Sequence, residues 1–160
     1  MIERKKAYIF DVDGTLANVD SILHYIAKSR NPDPDNFKKD FHSFHANSIH
    51  VPARSEVVDM VWKAIDEGYA IIVVTARREE WRAHTSYWLD RVANVPHVAL
   101  FMRQDKDYRP DYETKKDILE HIKQFWDVVH AVDDNPNVIK LWEENGIPTT
   151  KIGNWNGREE

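Results

Sequence analysis

Seven side chains suited to phosphate chemistry follow the apolar runs of this sequence. They are four carboxylates, a hydroxyl, an ammonium and a guanidinium, each placed at the end of a predicted strand or near the start of the helix that follows. In chain order they are Asp11, Asp13, Thr75, Arg77, Lys115, Asp133 and Asp134. Because ligands of open parallel α/β sheets bind beyond the carboxyl ends of the strands, we expect these side chains to meet at one edge of a sheet.

Four carboxylates gathered in one place repel one another, which raises their pKa values. A hard cation relieves this repulsion, and Mg²⁺ typically binds one or two carboxylates together with waters and phosphate oxygens. Gly14 allows a sharp turn after the first strand, so that backbone amides can face an anion. Thr75 can donate to a phosphate oxygen, and Lys115 adds a positive charge. The set therefore predicts a magnesium site for phosphoryl chemistry.

Other metal sites fit the sequence less well. An Asp-x-Asp-Gly segment also occurs in turns and in calcium-binding loops, but such a loop needs a glutamate at its twelfth position. The twelfth position counted from Asp11 is Ile22, which excludes that interpretation. We do not expect His42, His45 and His50 to form a metal cluster, because the carboxylates already form a site for a hard cation.

Short apolar runs alternate with helical patterns along the chain. The runs predict strands at residues 7–10, 70–75, 98–102, 128–132 and, more weakly, 149–152. The 3.6-residue stripes between them predict helices at 55–67, 79–92, 115–126 and 136–145. This alternation indicates an α/β, Rossmann-like three-layer fold with a central parallel sheet.

Residues 17–52 interrupt this alternation, because they form a connection too long for a simple turn. The segment contains two candidate short helices, at 21–28 and 35–46. We interpret it as a small helical cap insert over the active face, within a single domain that covers residues 1–160. Its aromatic side chains, Phe37, Phe41 and Phe44, either stack on a base or pack on the sheet, and the sequence leaves both open.

Composition excludes several classes of protein. The 160 residues contain no cysteine, so there is neither a disulfide framework nor a thiolate zinc site. This fits a reducing compartment, and we expect a cytoplasmic protein. No apolar run approaches the ~18–20 residues of a membrane span. The net charge of −5 disfavours a long nucleic-acid footprint, so any such contact should be confined to the terminal nucleotide or two.

The ordered set of residues resembles the haloacid dehalogenase-like phosphohydrolase superfamily. Its four motifs match 11–15, Thr75, Lys115 and the pair Asp133-Asp134. Bacterial receiver domains use similar residues in a different order, which does not fit. The segments 73–77, 85–89, 102–119 and 131–146 are similar to the 3′-phosphatase domain of bacteriophage polynucleotide kinase. Asn135 departs from that pattern, which often has arginine there, and the insert matches poorly.

The resemblance implies a role for each motif residue. Asp11 would be the nucleophile that forms an aspartyl-phosphate, and Asp13 the general acid and base. Thr75 and Lys115 would hold the phosphoryl oxygens. Mg²⁺ would be bound by the Asp11 carboxylate and the Asp13 backbone carbonyl. Of the pair Asp133-Asp134, Asp134 would bind the ion directly, and Asp133 would support the site without direct contact. The substrate phosphate or nucleotide would contact Arg77 and Arg109, oriented by Asp107 and Asp111. Arg78 and Arg91 are expected on a solvated helix face.

These roles predict a Mg²⁺-dependent phosphomonoesterase that acts on nucleic-acid 3′-phosphate ends. The alternative substrate is a free (deoxy)nucleoside monophosphate. A third possibility is a phosphotransferase that uses an acceptor other than water. A fourth is a non-catalytic phosphate- or metal-binding module, but the presence of both Asp11 and Asp13 disfavours a non-catalytic protein. No Gly-x-x-x-x-Gly-Lys-Ser/Thr loop occurs in the 160 residues, so we expect no kinase domain among them. The base, the sugar and the oligomeric state stay open.

Overall fold

A five-stranded parallel sheet forms the centre of the protein, as the sequence predicts. The computed structural model describes residues 3–153 and residue 155. The strands lie in the order β3-β2-β1-β4-β5. Their bounds are β1 Lys5–Phe10, β2 Ala70–Arg78, β3 Ala99–Arg103, β4 Trp126–Asp133 and β5 Thr149–Lys151.

The register of the central strands brings their carboxyl ends to one edge. Phe10, the last residue of β1, lies beside Val73 of β2 and Val132 of β4. The backbone N–H of Asp11 then donates to the carbonyl oxygen of Val132 at 3.0 Å. Asp11, Thr75 and the end of β4 are therefore neighbours because the strands are parallel and aligned.

Within the described part of the chain, five α-helices connect the strands. They are α1 Phe41–Asn47, α2 Ser55–Asp66, α3 Arg82–Tyr87, α4 Asp111–Ile122 and α5 Pro136–Glu144. Alternate residues of the same strands contribute to two separate hydrophobic clusters, since successive side chains of a strand point to opposite faces. One cluster contains residues of α2, the insert and the segment after α3, and the other contains residues of α4 and α5. The result is the three-layer arrangement that the alternation predicts.

Several predicted bounds are wrong. The predicted helix 115–126 begins at Asp111 and ends at Ile122, and Trp126 starts β4. Phe125 and Trp126 extend the apolar stripe in sequence, but Phe125 is 56% exposed and belongs to the turn. The predicted helix 79–92 is divided into a 3₁₀ turn, α3 and a π-helical turn at Trp88–Val92. Trp62 lies on the predicted buried stripe of α2 but is 39% exposed.

The insert is less helical than predicted. The helix expected at 21–28 is a 3₁₀ turn, Asp20–Tyr25, and the helix expected at 35–46 is confined to α1. The Asp40 side chain caps α1 by accepting from the backbone N–H of Ser43 at 3.0 Å. Buried side chains of the insert join the same cluster as β1 and β2; they are Leu16, Val19, Ile22, Leu23, Ile26, Phe44 and Val51. Among the described residues, no helix has the length and apolar character that a membrane crossing requires.

Candidate active site

Asp11 directly follows β1 and is buried with both carboxylate oxygens engaged. Oδ2 accepts a hydrogen bond from the Thr15 hydroxyl at 3.0 Å, and Oδ1 accepts from Lys115 Nζ at 2.9 Å. Gly14 has a φ of 80°, which permits the turn that brings Thr15 back to Asp11. The carboxylate is thereby fixed in one orientation, which a nucleophile that attacks in line requires.

Lys115 lies in the second turn of α4, whereas the sequence predicts that this helix begins at Lys115. It is buried between two carboxylates, 2.9 Å from Asp11 Oδ1 and 2.7 Å from Asp133 Oδ2. Burial alone would lower its pKa, but the charges of Asp11 and Asp133 outweigh burial and raise the pKa above its usual value. Lys115 is therefore a permanent cation that ties the end of β1 to the end of β4.

Asp133 is held by the protein on both of its oxygens. Oδ1 accepts from the backbone N–H groups of Asp134 at 2.8 Å and Asn135 at 3.1 Å, while Oδ2 accepts from Lys115. Burial raises the pKa of Asp133 to about 6, the charge of Asp11 adds to this, and Lys115 opposes it. The pKa of Asp133 is therefore raised mainly by burial, with the neighbouring charge of Asp11 as a second cause.

Three buried carboxylates meet in an arrangement that suits a metal ion. One oxygen each from Asp11, Asp133 and Asp134 lie within 4.8 Å of one another. They are hard oxygen donors, and the single ammonium of Lys115 does not neutralise three carboxylates. This donor set fits a small divalent cation. The carboxylate of Asp13 is not in this group, and the sequence-based prediction assigns only the backbone carbonyl of Asp13 to the metal.

Asp13 is instead paired with Arg77. Arg77 Nε donates to Asp13 Oδ2 at 3.0 Å, and Nη2 donates to Oδ1 at 2.5 Å. Nη1 donates to the Thr85 hydroxyl at 3.1 Å, so a buried guanidinium uses all three of its nitrogens within the protein. The sequence places Arg77 on the substrate, whereas the structure places it on Asp13. Thr85 has no role in the sequence-based prediction.

Thr75 is buried in β2, three residues before the last residue of that strand, and borders the same cavity as the carboxylates. Its hydroxyl oxygen accepts from the backbone N–H of Arg77 at 3.2 Å. A hydroxyl carries one proton of its own, so Thr75 can still donate to an oxygen in the cavity. This is the geometry expected of a phosphate contact.

Arg109 is oriented by Asp107, as the sequence predicts, in a bidentate pair at 3.0 and 2.9 Å. A second carboxylate, Asp117, accepts from the same guanidinium at 2.7 Å. Hydrogen bonds from Arg109 hold the pKa of Asp107 well below its usual range. Asp111, also predicted to orient Arg77 or Arg109, is paired with Arg103 instead, at 2.8 Å.

Arg103, to which the sequence-based prediction assigns no role, holds the loop before α4 in place through hydrogen bonds. It is buried and donates to the carbonyl oxygens of Ala76 at 2.9 Å and Arg109 at 2.6 Å. These bonds connect the end of β2 to the loop that leads into α4 and thus to Lys115. A strand-end arginine gives no local signal of such a role, because all its partners come from other segments.

The site opens into a cavity of about 770 Å³. Residues of the insert, of the end of β2 and of the loop before α4 line it together with Asp11, Asp13, Thr75, Lys115, Asp133 and Asp134. All seven predicted side chains and Arg109 therefore border one space, and Arg77 does so while bound to Asp13. The volume greatly exceeds that of a phosphate ion.

Comparison with known sequences decides the family. Residues 5–156 match the family described as the polynucleotide kinase PNKP phosphatase domain. The chain belongs to this family. It is a haloacid dehalogenase-like phosphatase domain, and its class of activity is that of a phosphoric monoester hydrolase.

Relatives of this phosphatase domain are larger than the chain itself. A protein of Autographa californica nuclear polyhedrosis virus, to which bifunctional polynucleotide kinase/RNA ligase activity is attributed, is 27% identical over 146 residues, which cover 90% of this chain and 19% of that protein. In the Pnkp1/Rnl/Hen1 RNA repair complex, a chain superposes with a TM-score of 0.74 at 25% identity, covering 96% of this chain and 44% of that one. The phosphatase domain therefore spans less than half the length of both relatives.

A class C acid phosphatase from Bacillus anthracis, with tungstate bound, superposes with a TM-score of 0.69 at 15% identity. The superposition covers 96% of this chain and 68% of that one. At this identity the likeness establishes a shared fold.

Proposed function

We propose that this phosphatase domain removes the phosphate from nucleic-acid 3′ ends in a Mg²⁺-dependent reaction. The observation that carries the proposal is that Asp11 and Asp13 border the same cavity but have different binding partners. Asp11 is fixed by Thr15 and Lys115 among the metal-binding carboxylates, while Asp13 is held apart by Arg77 on the same cavity. One carboxylate can therefore attack phosphorus while the other handles the proton.

In the first step, an oxygen of Asp11 forms a bond to phosphorus and the bond from phosphorus to the 3′-oxygen breaks. Asp13 supplies the proton that the departing 3′-oxygen needs, so the alcohol leaves neutral. In the second step, Asp13 accepts a proton from water as the water oxygen attacks phosphorus. The bond from phosphorus to the Asp11 oxygen breaks at the same time, so inorganic phosphate is released and the Asp11 carboxylate is regenerated.

Thr75 and Lys115 stabilise the phosphoryl group during both steps. The Thr75 hydroxyl donates to one phosphoryl oxygen, and the buried ammonium of Lys115 places a fixed positive charge beside the nucleophile. Asp11 and Asp134 would hold Mg²⁺ together with the backbone carbonyl of Asp13, while Asp133, engaged by Lys115 and two amides, supports them. When bound, Mg²⁺ offsets the repulsion between a carboxylate nucleophile and a phosphate dianion.

The choice of substrate rests on the family and on the shape of the site. The family and both larger relatives carry polynucleotide kinase or RNA repair in their descriptions. We propose that residues 17–52 act as a cap that, with the loop before α4, leaves a cavity of about 770 Å³ for a terminal nucleotide. Free nucleoside monophosphates are the second candidate, since a cavity of this size also suits a mononucleotide and the net charge is −5.

Phosphate release from matched substrates tests the proposal. A 3′-phosphorylated oligonucleotide, its 5′-phosphorylated counterpart, and free 3′- and 5′-mononucleotides would be compared in Mg²⁺, with Asp11→Asn as the inactive control. We expect the highest kcat/KM for the 3′-phosphorylated oligonucleotide. A higher kcat/KM for the mononucleotides would favour the second candidate, and release from none of the four would refute both.

A further inference from the structure

Two exposed aromatic side chains from separate segments border the mouth of the cavity. Tyr108, in the loop before α4, is 77% exposed, and Phe41, the first residue of α1, is 51% exposed. The other large apolar side chains that are exposed among the described residues lie away from this cavity; they are Trp62, Tyr87, Val92, Val98, Tyr112 and Phe125. Phe41 and Tyr108 are therefore the exposed rings that a ligand in this cavity can contact.

Phe41 contributes little to the core of the insert. Phe44, one helical turn further along α1, is buried in the cluster formed with β1 and β2. Both residues border the cavity, but only Phe44 has its ring covered by the protein. The sequence leaves open whether these aromatic side chains pack on the sheet or stack on a base. Phe44 packs in the core, whereas the exposed ring of Phe41 borders the cavity.

Arg78 supports Tyr108 from one side. Its guanidinium carbon lies 4.8 Å from the centre of the Tyr108 ring, which is the geometry of a cation–π contact. Arg78 belongs to β2 and borders the cavity, whereas the sequence places it on a solvated helix face. The contact fixes the ring, while its 77% exposure leaves most of the ring surface available to a ligand.

Arg78 and Lys39 also differ from the other cations of the cavity. Arg77, Arg103, Arg109 and Lys115 each contact a carboxylate within 4 Å. Within residues 3–153 and 155, no such ion pair involves Arg78 or Lys39, and both border the cavity. The mouth therefore combines exposed aromatic rings with cationic side chains that are not paired with a carboxylate among the described residues. Proteins that bind single-stranded nucleic acid use aromatic rings together with positive charge.

We propose that Tyr108, backed by Arg78, and Phe41 form a clamp for the nucleobase of the nucleotide that carries the scissile phosphate. This inference rests on the proposed function and adds a requirement to it: the substrate must carry a base at its phosphorylated end. Stacking is tolerant of base identity because every base has an aromatic face. The clamp thus selects nucleotides over other phosphate monoesters without selecting one base.

A terminal abasic site tests the clamp directly. The kcat/KM of the wild-type protein would be measured on a 3′-phosphorylated oligonucleotide and on the same strand whose last nucleotide lacks its base. Loss of a stacked base weakens binding by roughly 5- to 150-fold, so we expect at least about a fivefold preference for the intact end. Tyr108→Ala and Phe41→Ala should each reduce that preference, and Tyr108→Phe should retain it.

Phe125→Ala is the matched control, because Phe125 is an exposed ring that does not border the cavity. It should leave the preference at its wild-type value. Equal wild-type rates on intact and abasic ends, or an undiminished preference in both alanine variants, would overturn the clamp while leaving the proposed function standing. Both replaced rings are exposed, so thermal unfolding of the variants should match the wild type.

Failure of the proposed function gives a different pattern. If the protein hydrolyses mononucleotides but not the oligonucleotide, the same comparison between a nucleoside 3′-phosphate and a baseless deoxyribose phosphate decides the clamp. If it hydrolyses p-nitrophenyl phosphate but no nucleotide, the clamp and the proposed substrate are both overturned.

Discussion

Arg77 and Asp13 form a bidentate ion pair, with Nε and Nη2 of the guanidinium each donating to a separate carboxylate oxygen of Asp13. The third nitrogen is fixed by the Thr85 hydroxyl. A guanidinium that is buried and bound in this way is a rigid support for Asp13. We therefore propose that Arg77 is a positioning residue that acts through Asp13, the proposed general acid.

Replacement of Arg77 should therefore affect proton transfer more than substrate binding. Arg77→Lys retains a charge but cannot form two parallel hydrogen bonds, so we expect kcat on a nucleotide substrate to fall by about 100-fold. The fall in kcat/KM, which reports the first step, should be much smaller on p-nitrophenyl phosphate, since nitrophenolate leaves without needing a proton. Steady-state kcat and KM on the two substrates measure this difference.

Asp13→Asn serves as the reference for that experiment, because it removes the general acid itself. We expect Arg77→Lys and Asp13→Asn to show the same dependence on the leaving group. If Arg77→Lys instead raises KM equally for both substrates, Arg77 binds the phosphate and does not position Asp13.

Mg²⁺ should stabilise the folded protein through the three-carboxylate group. At a Mg²⁺ concentration about 100 times Kd, binding contributes about 2.7 kcal/mol, which raises Tm by roughly 5–10 °C in a domain of this size. Asp134→Asn should abolish this rise. Without Mg²⁺, the same variant should melt no lower than the wild type, because it removes one of three crowded carboxylates.

Glu120→Gln is the matched control for Asp134→Asn, since Glu120 is an exposed acid of α4 outside the carboxylate group. It should keep the full effect of Mg²⁺ on Tm. A rise of wild-type size in Asp134→Asn would show that the ion binds elsewhere.

His45 should make the protein less stable as the solution becomes acidic. Burial lowers its pKa from 6.5 to about 4; Asp13 opposes this, and Arg77, Arg78 and His84 reinforce it. Between these two pKa values the unfolded chain binds a proton that the folded protein does not, so stability increases with pH in this window. Acidification from about pH 6.5 to pH 4 should therefore cost up to about 3 kcal/mol through this residue.

Urea unfolding at several pH values measures this contribution as the difference between wild type and His45→Gln. The loss of unfolding free energy on acidification should be smaller in the variant. His50→Gln replaces an exposed histidine of the same segment and should behave as the wild type does. Parallel curves for wild type and His45→Gln would disprove the assignment.

The sheet and the floor of the site follow from the sequence because their signals are local. Each strand is a short apolar run, and the residue after each run must lie at the shared carboxyl edge of a parallel sheet. Asp11, Thr75 and Asp133 therefore meet as predicted. The start of α4 carried a local signal as well, since Pro110 precedes Asp111 and Glu113 in its first turn.

The partners of the arginines do not follow from the sequence. Arg77 lies two residues after Thr75, which suggests a phosphate contact, and its actual partner Asp13 lies 64 residues away in the chain. The residues next to an arginine in the sequence do not indicate which of several carboxylates its guanidinium will bind. The extent of helix in the insert does not follow from the sequence either, because α1 starts after its cap at Asp40 and not at Asp35 as predicted.

Transfer of the terminal phosphate to Asp11 is the step on which the proposed function depends most directly. A 3′-phosphorylated oligonucleotide with a radioactive terminal phosphate would be mixed with the protein and Mg²⁺, quenched rapidly in acid, and digested for identification of the labelled peptide. We expect the label on the peptide that contains Asp11 before it appears as inorganic phosphate, and in neither form with Asp11→Asn. Release of labelled phosphate by Asp11→Asn, or release by the wild type with no labelled peptide at any time, would contradict Asp11 as the nucleophile.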